Sequence, residues 1–71
     1  MAAINSFTTA QLCEMWRTAH ERMAEEPDSI NQMMQIEDEL ERRFPLLVGP
    51  WRLLADTNYA LYSNPGAFFL S

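Results

Sequence analysis

The sequence predicts an all-α protein: an antiparallel helical hairpin, a shorter C-terminal helix and an apolar tail, assembled as a homodimeric helical bundle. Three observations lead there. Apolar residues recur at three- and four-residue spacings over two stretches of about sixteen residues, each the mark of an amphipathic helix. The stretches are joined by EEPDS, a connection short enough to force neighbouring helices antiparallel. A chain of 71 residues with one cysteine has no internal disulfide to staple a small core, which leaves a second subunit as the remaining device. The helices are expected over about 9–25, 29–44 and 50–63 of a single small domain, residues 1–71.

The first helix has two start signals that agree. Thr8 at the N-cap and Gln11 at the third helical position form a capping box, and Phe7 with Leu12 forms a hydrophobic staple. Leu12, Met15, Trp16, Ala19 and Met23 then share a face, with Glu14, Arg17, Glu21 and Glu25 mostly on the other. Pro27 sets the end, because the residue before a proline avoids helical geometry.

In the second helix Asp28 or Ser29 is the cap, and Ser29 with Gln32 repeats the capping-box pattern. Ile30, Met33, Ile36, Leu40 and Phe44 form its apolar stripe, with Met34 at the margin. The acidic run Glu37, Asp38, Glu39 and Glu41 falls outside that stripe, where Asp38 can pair with Arg42 and Glu39 with Arg43. Pro45 ends the helix.

Two amphipathic helices side by side cover only part of each other's stripes, so a third segment must close the core. Pro50 suits a first helical position, where its missing N–H costs nothing. Trp51, Leu54, Ala55, Leu61 and Tyr62 follow a helical face, with a break allowed at Asp56-Thr57-Asn58. Asn64-Pro65-Gly66 reads as a type II turn that ends this helix. The tail AFFL then packs across a dimer seam, under Trp51 and Leu54 of its own chain, or into a groove on another protein, in that order of preference.

Composition limits function. The formal charge is −5 and all basic residues are arginine, which disfavours the nucleic-acid backbone. No apolar run approaches the ~20 residues that span a bilayer, and the first residues lack a basic leader. A lone cysteine suits a reducing compartment, here the cytoplasm. Cys13 and His20 lie two turns apart, roughly 10 Å at 1.5 Å per residue, too far for a nucleophile and its base. They have no further cysteine or histidine with which to build a metal site. The acidic run sits in water beside arginines, so nothing raises a carboxyl pKa for acid catalysis. No catalytic, cofactor or metal residues are assigned, and no enzyme activity is expected.

What remains is surplus apolar and aromatic surface behind an acidic face. The reading is a small acidic regulatory or adaptor protein, an inhibitor of a host or cellular factor, phage- or plasmid-like by analogy of size and charge alone. Its partners are itself and an unidentified protein target. Trp16, Glu37, Glu41, Arg42, Trp51, Phe68 and Phe69 are the candidate protein-binding residues, since tryptophan and arginine dominate interface hot spots. A structural subunit of a larger complex is the alternative, and a DNA-mimic or nucleic-acid-associated regulator the third option.

Overall fold

A computed structural model describes residues 3–70. Among them a short 3-10 turn, Ile4–Ser6, precedes five helices: α1 (Thr9–Arg22), α2 (Ser29–Arg43), α3 (Val48–Thr57), α4 (Tyr59–Tyr62) and α5 (Pro65–Phe69). No strand occurs among the described residues.

The start of α1 follows the sequence pattern atom for atom. The Thr8 hydroxyl accepts from Gln11 N at 3.1 Å, and the Gln11 side chain accepts from Thr8 N at 2.8 Å. The helix ends at Arg22, ahead of the expected 25, in successive turns across Met23–Glu25. α1 packs most extensively on α2. Arg43 at the end of α2 meets Thr9 at the start of α1, whereas Trp16, further along α1, meets Glu37, earlier in α2, so the two run antiparallel.

α2 starts differently from the pattern. Asp28 is its N-cap, and no side-chain cap bond forms, so the Ser29–Gln32 box is absent. Ser29 is instead the first residue inside the helix and is buried. Phe44 leaves helical geometry ahead of Pro45, with φ −132° and ψ 69°.

The third segment divides into three helices. α3 begins at Val48, so Pro50 is its third residue, where a missing N–H is still harmless because the first four have no partner. Asn58 ends α3, with φ −149° and ψ 79°, and caps α4 by accepting from Leu61 N. The NPG triplet starts a helix where a type II turn was expected. That turn needs a positive φ at glycine, no glycine here has one, and Pro65 opens α5 from a first-turn position.

α5 returns the chain to α1. Gly66 lies so close that a Cβ there would stand 3.8 Å from Cys13 Cβ. Phe69 thereby enters the core, 7% exposed, against Trp51 and Phe44 at 5.5 Å between ring centroids in each case. Within the single chain the tail packs under Trp51, the second of the three placements the sequence allows.

The core comprises Leu12, Cys13, Trp16, Ala19, Met33, Ile36, Leu40, Val48, Trp51 and Phe69. The whole chain's accessible surface of 4749 Å² compares with about 4,500 Å² for a folded monomer of this mass. The radius of gyration of 11.5 Å compares with about 11 Å for a compact domain of this length. Within one copy, α5 thus supplies Phe69 to the core that the two-helix hairpin leaves open.

Cys13 is 3% exposed, and burial, aided by the nearby Glu14 carboxylate, pushes its thiol up to about 11 from the usual 9.0. The ionised fraction at neutral pH falls on the order of 100-fold, so alkylation should be at least ~100-fold slower in the folded protein than in denaturant. Equal rates in the two states would show that α5 does not cover this thiol. Because the folded value is the raised one, the protein should also lose stability as pH climbs from about 9 to about 11, where only the unfolded thiol ionises.

Candidate functional site

Two polar networks and a set of exposed leucines define the surface. The first network centres on Glu37. Its carboxylate accepts from Trp16 Nε1 at 3.0 Å and from Arg52 Nε at 2.9 Å, with Arg52 Nη2 at 2.8 Å. A buried indole N–H needs an acceptor, and Glu37 supplies one from the half-buried edge of α2. Trp51 is served separately, donating to Tyr62 O at 3.2 Å. The rings assemble tightly: Trp16 meets Trp51 edge-on at 5.0 Å, Tyr62 stacks on Trp51 at 5.0 Å, and His20 stacks on Trp16 at 4.8 Å. The other edge of His20 faces the Tyr59 hydroxyl at 3.0 Å, which ties α4 to α1. Cys13 faces α5, so the two residues weighed as a nucleophile and its base face different helices.

The second network centres on Glu39, which is 6% exposed although the sequence pattern places it among solvated acids. Arg42 clasps it with two bonds, at 3.0 and 2.6 Å, and Arg43 with one at 2.8 Å. Arg43 also donates to the carbonyl oxygens of Phe7, at 2.6 Å, and Asn5, at 3.3 Å. Of the two expected pairs, Glu39–Arg43 forms, while Arg42 turns to Glu39 and leaves Asp38 aside.

The bonds from Arg42 and then Arg43 hold the Glu39 carboxyl at about 2, below its usual 4.5. A depressed value stabilises the fold fully above pH ~4.5, and that contribution is lost as pH falls towards 2. The wild type should therefore lose melting temperature through this window more steeply than Glu39→Gln. Parallel acid profiles for the two proteins would contradict the pairing.

The structure scatters the seven candidate binding residues. Trp16 and Trp51 are 0% exposed and Phe69 7%, so their rings hold this chain's own core and cannot reach a partner while the fold is intact. Phe68 is half-buried, edge-on to Phe69 at 5.2 Å. Glu37 and Arg42 are engaged in the networks above. Glu41 alone stands exposed with no ion pair.

The residues that sequence reasoning missed are leucines. Leu46 is 84% exposed and Leu53 72%, with Leu47 beside them at 38%. Val48 and Trp51 carry the inner side of α3 and are buried. Pro50 and Leu53, three residues apart, therefore lie on its outer side, and Leu46 stands exposed in the turn that leads into it. The signal was readable: once Trp51 faces inward, positions one half-turn away must face out.

Among the described residues no group of three or more His, Cys, Asp or Glu side chains could hold a metal ion. No helix among them is long and apolar enough to cross a membrane. Comparison with protein-family models, with curated proteins and with solved structures found no match to this chain.

Proposed function

We infer that this is a small regulatory or adaptor protein that acts by binding another protein through the exposed leucines on α3 and in the turn before it. One observation carries the reading: Leu46 and Leu53, two large apolar side chains, stand 84% and 72% exposed on a chain that packs Trp16, Trp51 and Phe69 inside. Exposed leucines on a helix and in the turn before it are a surface that a partner's groove covers. The folded helix also orders Leu53 before binding, which lowers the entropy lost on association. The same packed core favours a regulator that folds alone over a structural subunit that folds only within its complex.

The test is affinity purification of the tagged protein from its native host, wild type against the double variant Leu46→Glu and Leu53→Glu. Exposed positions tolerate such changes within about 0.5 kcal/mol, so both proteins should melt alike while the variant loses the partner. Retention of the same partner by a folded variant would assign the binding surface elsewhere. Removing residues 66–71 is not an equivalent test, because it strips Phe69 from the core.

A further inference from the structure

Every arginine in the molecule is already held by a carboxylate: Arg17 by Glu21, Arg22 by Glu26, Arg42 and Arg43 by Glu39, and Arg52 by Glu37. Among the described residues, Glu14, Glu25, Asp28, Asp38, Glu41 and Asp56 have no cation beside them. The uncancelled field is therefore acidic throughout, and a partner drawn in by charge must be cationic.

On α2 two of these carboxylates continue an exposed apolar stripe. Ile30 was expected within the buried face but is 43% exposed, and Met34 is 58% exposed. Asp38 and Glu41 follow, both exposed, and steps of four, four and three residues keep all four side chains on one side. We propose that this stripe docks a basic amphipathic helix of another protein, with its apolar side chains on Ile30 and Met34 and its Lys or Arg side chains on Asp38 and Glu41.

The rest of α2 supports that occupant. Met33, Ile36 and Leu40 anchor its inner face in the core, so the stripe is presented on a rigid element. Met34 is unbranched and adapts to the shape that meets it. Glu37, one turn from both Met34 and Glu41, is already engaged by Trp16 and Arg52, which leaves Asp38 and Glu41 as the acids that an incoming cation meets. The partner's cations must then lie about one turn, roughly 6 Å, beyond its apolar contacts. A second copy offers no cation to Asp38 and Glu41, since its arginines are held by its own carboxylates, and a nucleic acid brings phosphates that are repelled. The stripe is a different surface from the exposed leucines, and the two stand or fall separately.

The experiment is an amide-shift titration of the full-length, isotope-labelled protein. The probe is a synthetic leucine–lysine amphipathic helix, compared with a peptide of the same composition in scrambled order. The amphipathic peptide should give saturable shifts centred on Ile30, Met34, Asp38 and Glu41, well above those of the scrambled one. The double variant Asp38→Asn and Glu41→Gln should melt like wild type, bind roughly 10-fold more weakly and lose much of its salt dependence. Met34→Ala should weaken binding without altering that salt dependence. Shifts centred elsewhere, equal binding of the scrambled peptide, or no binding would overturn the proposal. So would concentration-dependent shifts on the stripe without peptide, which would identify a second copy as the occupant.

Discussion

Trp51→Ala is expected to cost about 3–5 kcal/mol, as truncations of large buried aromatics do. A domain of this length has only roughly 4–11 kcal/mol to lose, so the substitution should remove from about a quarter to all of the stability. Trp51 is 0% exposed and is the residue on which three elements converge: Trp16 from α1, Tyr62 from α4 and Phe69 from α5. Removing the ring leaves a void that none of them can fill without breaking contact with another. Trp51→Phe keeps an aromatic plane and loses the bond to Tyr62 O, and so should be the milder change. The measurement is thermal melting by circular dichroism, where Trp51→Ala should fall by more than roughly 12 °C. A fall of only a few degrees would place the centre of the core elsewhere.

Arg43→Ala is the second large effect, through a different mechanism. Arg43 joins Glu39 to Thr9 and to the carbonyl oxygens of Asn5 and Phe7, and so fastens the N-terminal segment over α2. Losing those charge-assisted bonds should cost about 2 kcal/mol. Arg42→Ala should do less, because its side chain is 64% exposed and Arg43 remains on the carboxylate. Lysine is a poor substitute, since a single ammonium cannot reproduce the guanidinium fork. Hydrogen exchange gives the sharper readout: in Arg43→Ala the amides of residues 4–9 should lose protection well before those of α3. Uniform loss would mean that Arg43 supports the whole fold and not this clasp.

These two sites separate what was legible from what was not. Helical spacing identified Leu12, Trp16, Ala19, Met33, Ile36 and Leu40 as inward residues, and each is buried. It failed at Glu39, which Arg42 and Arg43 enclose while Arg43 also reaches the carbonyl oxygens of Asn5 and Phe7, far away in sequence. Tryptophan's frequency at interfaces pointed to Trp16 and Trp51 as binding residues. A chain this small needed both rings for itself, and the leucines left over became the exposed surface. Apolar composition says that such surface exists, but not which residues form it.

By itself the sequence determined the all-α class, the capped start of α1, the antiparallel hairpin and the break near Asn58. All are set by interactions within a few residues, through caps, prolines and helical period. Only the tertiary structure decided that α5 turns Phe69 back into its own core, that Glu39 is buried, and that Leu46 and Leu53 are not. Those outcomes depend on which helix reaches which face first, a competition between distant segments for one limited interior.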